Sequence, residues 1–385
     1  MSKAPTALSV VRVAISIGTV VAALVVGAIV LLLLGADPVE GYRAMASGAF
    51  GSADAATDTL LKSVPLLLVG SGICVAFRAG VINIGGEGQI IAGALTSTAL
   101  GLWLGGLPTL ILLPLVLIAG LVGGGLLGAL PGYLKAYHDV NEILSTIMLN
   151  IIAVQVMNYL LRGPMIDPLE VERGTNVPQT ARLSSNTDLP TLIPGSRLHV
   201  GLLIAVVAAV AAWVLLWRTP FGFRIRAVGQ SRAASRYAAM PVERSVVMSL
   251  AISGALSGLA GTMLVIGSAS HRMVTDGSAA GFTGNAGFNG IVVALFGALH
   301  PLVTILSSLL FGALLVGANA MQRAVQVPSA LIVALNGTIV LFVVSSERLR
   351  QRATAAFGVR ARADTVPSPE PDAALEPVAE SEPIG

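Results

Sequence analysis

Runs of apolar residues about 20 long, the length a helix needs to cross the hydrocarbon of a bilayer, dominate this chain. They fall at residues 13–34, 60–77, 89–104, 107–130, 143–161, 200–217, 245–267, 301–320 and 328–345. Backbone in hydrocarbon can bond only to itself, so runs of this kind become helices. A tenth run, residues 287–299, is short for a crossing. Charged residues make up 11% of the chain and hydrophobic ones 55%, against about 25% charged in soluble domains. The expected fold is all-α: a polytopic membrane protein of about ten transmembrane helices, some of them interrupted. The first run is read as a retained span, because no small-residue cleavage site follows it.

Charge placement predicts orientation, since short loops rich in Lys and Arg stay in the cytoplasm. Arg218, Arg224, Arg226, Arg232, Arg236 and Arg244 share one loop with a single acid, Glu243. Threading outward from a cytoplasmic 218–244 loop puts Lys3, Arg12, Arg78, Lys135 and Arg348 inside, and Asp37, Glu40, Asp54 and Asp58 outside. Both termini are then cytoplasmic, provided that residues 287–299 return the chain inward. The expected organisation is a cytoplasmic N-terminus over 1–11, a transmembrane domain over 12–346 and a tail over 347–385. That tail, with Pro367, Pro369, Pro371, Pro377 and Pro383 among acidic and small residues, is expected to be disordered. The basic pI of about 9.3 follows from the cytoplasmic arginines and implies no nucleic-acid binding.

Several chemistries are excluded or left without support. Cys74 is the only cysteine, so no intramolecular disulfide forms, and the four histidines lack metal-ligand spacing. No metal site is assigned. None of the three lysines, Lys3, Lys62 and Lys135, belongs to a phosphate-binding G-x-x-x-x-G-K-[ST] loop. Mid-span carboxylates of the kind ion-coupled carriers use are missing, so an external motor is favoured.

Polar and glycine-rich insertions mark the candidate substrate path. Gly80-Val-Ile-Asn-Ile-Gly-Gly-Glu-Gly-Gln89 separates two apolar runs. Interrupted helices at membrane depth line cavities or substrate sites; a surface loop leading into a helix with Glu87 in its first turn is the alternative. Both readings stand. Glu142, Thr146 and Asn150 recur at i, i+4 on one helical face, suited either to a path or to interhelical hydrogen bonds. Gly281, Gly284, Gly287 and Gly290 alternate with Asn285 and Asn289. The path candidates are therefore Asn83, Glu87, Gln89, Glu142, Thr146, Asn150, Asn285 and Asn289. Gly120, Gly124, Gly128 and Gly132, like Ser253, Ser257 and Gly261, repeat every fourth residue and suit close helix packing. Trp103, Trp213 and Trp217 are expected to be anchors at the membrane interface.

Four blocks in order carry a family resemblance: residues 80–89, Asn-Glu-Ile-Leu-Ser-Thr-Ile-Met-Leu-Asn at 141–150, Thr-Pro-Phe-Gly-Phe-Arg-Ile-Arg-Ala-Val-Gly at 219–229, and Gly-Phe-Asn-Gly-Ile-Val-Val-Ala-Leu-Phe-Gly at 287–297. Together they resemble permease subunits of bacterial ABC importers for nucleosides and simple sugars, in the branched-chain amino acid and ribose permease superfamily. The resemblance implies a plasma-membrane permease that pairs with a second, related permease. It also implies two cytoplasmic ATPase subunits, which would bind ATP and Mg, and an external substrate-binding lipoprotein. No cofactor is expected in this chain and no covalent chemistry. The cargo on this reading is a nucleoside, with a simple sugar as alternative and an ion-coupled carrier as the competing class.

The resemblance further implies a cytoplasmic coupling helix within Gly229-Gln-Ser-Arg-Ala-Ala-Ser-Arg-Tyr-Ala-Ala-Met240. Gly222, Arg224, Arg226, Gly229, Ser231, Ala233, Ala234 and Tyr237 are the coupling candidates. Ser231 stands where relatives carry Asn and still offers an N-cap oxygen. Ala239 stands where they carry a helix-ending Gly, so Pro241 is expected to supply the stop.

Overall fold

Hydrocarbon offers the backbone no partner but itself, and the computed structural model of the chain, which describes residues 21–22, 25–33, 35–326 and 337, is accordingly built of helices. They are α1 (Pro38–Phe50), α2 (Ala53–Arg78), α3 (Gly86–Trp103), α4 (Thr109–His138), α5 (Glu142–Arg162), α6 (Pro168–Glu172) and α7 (Gly201–Arg218), followed by α8 (Pro220–Gln230), α9 (Arg232–Tyr237), α10 (Val242–Ile266), α11 (Ala279–Thr283), α12 (Ala286–Phe296) and α13 (Pro301–Val325). Among the described residues, α2, α4, α5, α7, α10 and α13 are long and apolar enough to cross a bilayer. Each expected run from 60–77 to 301–320 falls on one helix. The runs at 13–34 and 328–345 (each in part), the 1–11 segment and the 347–385 tail lie outside the described residues.

Helices α2 and α10 form the axis, buried on nearly every side, as a helix apolar all round must be. The glycine repeat of α4 lies along α10, but its partner is not the Ser253-Ser257-Gly261 stripe. A Cβ on Gly128 would stand 3.0 Å from Gly254 Cα, and one on Gly132 3.0 Å from Val247 Cα. Gly254 and Gly258 thus meet α4 backbone to backbone, while the serine stripe turns to other neighbours: Ser253 reaches Asn83, and Gly261 lies on the Ile90 backbone of α3.

Two features differ from the sequence expectation. The stretch read as an outer loop contains α1, started by Asp37, whose Oδ1 accepts from the Val39 N–H at 2.8 Å, with Pro38 at its first position. It packs on α13, Gly48 against Ala320 and Met45 against Gly317. The short run 287–299 belongs to a broken helix: α11 and α12 are separated by Gly284 and Asn285, both left-handed at φ 60°. The pair starts near Asn158, whose amide donates to Gly277 O at 3.0 Å. It ends at Leu299, whose carbonyl accepts from Arg78 Nη2 at 3.2 Å, so it runs from one end of the bundle to the other.

The opposite end of the bundle from Arg78 is closed by the 163–199 loop. Leu183 N–H donates to His271 O at 2.8 Å, Thr180 N–H to Met273 O at 2.9 Å, and Arg197 pairs with Asp58 at 2.7 Å. Trp103 is exposed, as an interfacial anchor would be. Trp217 is not: Arg78 and Arg226 lie over its ring, their guanidinium carbons 5.3 Å and 5.8 Å from its centroid, with the His300 ring tilted against it at 4.8 Å. Its role is to seat two arginines by cation–π contact.

Candidate functional site

Helices that start inside a bundle need donors of hydrogen bonds satisfied from outside their own sequence, because the first N–H groups have no partner within the helix. The α2–α3 linker, residues 79–85, ends at Gly85, which has no side chain to cap α3. Asn150 supplies the cap from α5: its Oδ1 accepts from the Gly88 N–H at 2.8 Å, and its Nδ2 donates to Ile84 O at 2.9 Å. The start of α12 is treated alike. Asn285 gives no side-chain cap, and Glu87 reaches across from the first turn of α3 so that Oε1 accepts from the Phe288 N–H at 3.1 Å. A carboxylate at a helix N-terminus is favoured by the dipole. The second oxygen, Oε2, is buried; Thr283 and Gly287 lie beside the carboxyl, yet neither gives Oε2 a hydrogen bond of ordinary geometry.

Asn83 joins this junction to the axis. Its Nδ2 donates to Gln89 Oε1 at 2.9 Å and to Ser253 Oγ at 2.8 Å, while its Oδ1 accepts from the Gly85 N–H at 2.9 Å and Gln89 Nε2 at 3.1 Å. An Asn side chain has two donors and two acceptor lone pairs, so its capacity is full. Glycines let the two helix starts close on each other: a Cβ on Gly86 would stand 3.1 Å from Gly287 Cα, and one on Gly88 2.9 Å from Asn150 Cα. Helix α12 has 11 residues, a length of about 16 Å, so the junction lies near half of a hydrocarbon layer about 30 Å thick, and the Glu87 carboxyl stands at mid-span, contrary to the sequence expectation of none there.

Of the eight path candidates, Asn83, Glu87, Gln89, Thr146 and Asn150 converge here and are buried. Thr146 bonds back to Glu142 O at 2.7 Å and faces Gly85. Glu142 sits at the first position of α5 and pairs with Lys135 at 3.4 Å. Lys135 also donates to Asp139, holding that exposed carboxyl below its ordinary range. Asn289 is half-buried on α12, and Asn285 is exposed at the kink. Gly86, Glu87 and Gly88 are the first turn of α3, so the non-helical insert is shorter than its glycine content suggests. Ser253 was missed: a serine in a small-residue stripe gives the same signal whether it packs or bonds.

The basic loop folds into α8 and α9. Thr219 caps α8, its hydroxyl accepting from the buried Gly222 N–H at 3.0 Å, and Ser231 caps α9, accepting from the Ala234 N–H at 3.2 Å. Ala233, Ala234 and Tyr237 are exposed on α9, Tyr237 at 97%. Arg224 is exposed and Arg226 half-buried over Trp217. The stop of α9 is not Pro241, which instead begins α10. Ala239 itself turns left-handed at φ 54°, and Met240 N–H returns to Ser235 O at 2.9 Å, the geometry usually given to glycine. Gly229 packs on the linker of the junction: a Cβ on Gly80 would stand 3.1 Å from Gly229 Cα, and Arg232 approaches Gly80 O at 3.4 Å. Among the described residues no group of three or more His, Cys, Asp or Glu side chains could hold a metal.

Comparison with known proteins places this chain among transport permeases. Residues 55–344 match the family described as branched-chain amino acid transport system / permease component. The chain is 37% identical over 331 residues to the guanosine ABC transporter permease protein NupP of Bacillus subtilis, covering 86% of this chain and 92% of that one. It is 36% identical over 340 residues to the glucose ABC transporter permease protein TsgB13 of Haloferax volcanii, 86% of each chain. With the nucleoside ABC transporter permease protein NupB of Lactococcus lactis it shares 32% identity over 337 residues, 86% of this chain and 90% of the other. No solved structure matches the chain.

Proposed function

The chain belongs to the branched-chain amino acid transport system / permease component family, whose members are membrane transport subunits and not enzymes, and on that premise we propose that it passes a nucleoside through an ATP-driven importer. Family membership removes the ion-coupled carrier from consideration. Nucleoside cargo is supported by the guanosine and nucleoside permeases among its relatives. A sugar is the second reading, favoured by the glucose permease of similar identity.

The observation that carries the mechanism is the seating of the basic loop on the linker that leads into the buried helix starts, Gly229 on Gly80. A cytoplasmic ATPase gripping the exposed Ala233, Ala234 and Tyr237 face of α9 would move α8 and, through Gly229 and Arg232, the 79–85 linker. That movement pulls on Asn83 and on the caps given by Asn150 and Glu87. Parting of the α3 and α12 starts opens the bundle toward one side, and their return closes it. Gly222 and the Arg226–Trp217 stack keep α8 rigid against α7, so displacement is passed on and not absorbed. The partners on this reading are two ATPase subunits carrying ATP and Mg, a second permease and an external binding lipoprotein. The 218–244 loop faces the cytoplasm and the 163–199 loop the outside. Ala238→Cys and Ser185→Cys in a Cys74-free protein should label from opposite sides.

Uptake of guanosine and of glucose by the complex in proteoliposomes tests the cargo; glucose uptake without guanosine uptake selects the second reading. In the same assay Ala234→Trp should abolish uptake and cargo-stimulated ATP hydrolysis together, because the ring occupies the docking face without touching the bundle. Normal uptake by this variant would remove α9 as the docking element.

A further inference from the structure

A cavity of 380 Å³ opens at the end of the bundle opposite the basic loop, between α2, the C-terminal end of α10 and α13. None of the path candidates read from the sequence lines it. Its polar groups are Asp58 and Lys62 on α2, Asn319 and Arg323 on α13, His199 ahead of α7 and Ser268 just past α10. Lys62 lies nine residues into α2, about 14 Å along the helix, and is half-buried. No hydrogen bond or ion pair to Lys62 occurs among the described residues. An ammonium inside a membrane helix costs on the order of 3 kcal/mol even on the lenient scale and is by default functional. His199 adds a donor: Nδ1 accepts from the Gly201 N–H at 3.1 Å, and burial lowers the imidazole pKa, so the neutral ring keeps its proton on Nε2.

The floor of the cavity meets the junction. A Cβ on Gly284, the kink between α11 and α12, would stand 3.0 Å from Lys62 Nζ, and the preceding residue, Thr283, lies beside the Glu87 carboxyl. A ligand on Lys62 therefore sits at the hinge of the broken helix, one residue from Thr283 beside Glu87. The walls are apolar, with Leu61, Met263 and Val316 facing the space. Such a volume is within the range of small-molecule sites, apolar with a few convergent polar groups.

We infer that this cavity is the cargo's entry subsite on the permease, and that Lys62 recognises a neutral, acceptor-rich solute of nucleoside size there. The inference rests on the nucleoside reading for its ligand class. Donors from Lys62, Asn319, Arg323 and His199 suit ring nitrogens, carbonyls and hydroxyl oxygens, and the apolar walls suit a base face. The neutral class comes from the nucleoside reading alone, because Asp58 is paired with Arg197 and Arg323 joins Lys62 in the lining.

The test uses the assembled complex with its partner subunits, first finding which of guanosine and glucose the wild type carries and then measuring that cargo. Lys62→Met should raise the apparent KM about tenfold or more, the loss of one hydrogen bond from a charged donor, and Lys62→Arg should restore most of it. Val316→Trp, filling the cavity from α13, should block uptake while the complex still elutes intact. Guanosine 5′-monophosphate should compete poorly. An unchanged KM in Lys62→Met, or undiminished uptake in Val316→Trp, overturns the subsite; equal competition by the monophosphate overturns the neutral class. If the wild type carries only glucose, the nucleoside reading fails, and the Lys62→Met effect on glucose KM still decides the site.

Discussion

The α4–α10 seam and the α3–α12 junction are both glycine-lined, yet they do different work. In the seam, Gly124 and Gly128 press on Gly254 and Gly258 along two continuous helices, with no hydrogen-bonded side chain needed at the contact. At the junction, Gly86 and Gly287 bring two helix starts together, and Asn83, Glu87 and Asn150 must then satisfy the exposed backbone donors. Close packing of unbroken helices is held by dispersion over its whole length. A junction of helix ends is held by a few directional bonds, which can be broken one at a time. Glycine repetition alone therefore does not separate a fixed contact from a movable one; the amide and carboxyl side chains beside it do.

The largest expected effect tests the fixed half of that contrast. Gly124→Val drives a side chain into the Gly254 and Gly258 backbone and should cost about 3 kcal/mol or more through overpacking, seen as loss of folded protein in detergent size exclusion. A folded Gly124→Val complex with selectively lost uptake would make the seam the moving part.

The movable half is sharpened by Asn150→Leu. It leaves the Gly88 N–H and Ile84 carbonyl unsatisfied, at roughly 1–3 kcal/mol for each buried group. The thermal midpoint should fall together with uptake. A midpoint equal to wild type with reduced uptake would mean that Asn150 meets cargo and does not clamp α3. The smallest effect concerns the loop proposed to move the junction. Ala239→Gly relieves a left-handed alanine worth about 1–2 kcal/mol, so amide exchange over 231–240 should slow while uptake stays the same. Faster exchange in that segment would contradict the left-handed turn.

Much of this was legible before the structure, for physical reasons that differ by region. The crossing helices announced themselves because a 20-residue apolar run has no other stable form in a bilayer. Helices α8 and α9 carried their own caps, Thr219-Pro220 and Ser231. Helix α1 also had a signal, Asp37-Pro38 with Glu40 following, but its charges read equally well as an outer loop. The convergence of Asn83, Glu87 and Asn150 was legible only as a set of polar residues near glycines. Which backbone N–H each would cap depends on two helix starts meeting from distant parts of the chain. The left-handed Ala239 was signalled only by the helix-ending Gly of the resemblance, since alanine itself rarely takes that conformation, and Lys62 was overlooked because one charge near the end of an apolar run looks like a flank.

The saturation of Asn83 limits what a wall built from it can do to a passing molecule. Every bond a solute gained there would have to be taken from Gln89, Ser253 or the Gly85 amide, an exchange of near-equal bonds with little net gain. On the proposed route such a surface would offer polar atoms without holding the molecule that meets them: adhesion would be left to other places, and this stretch would be slippery.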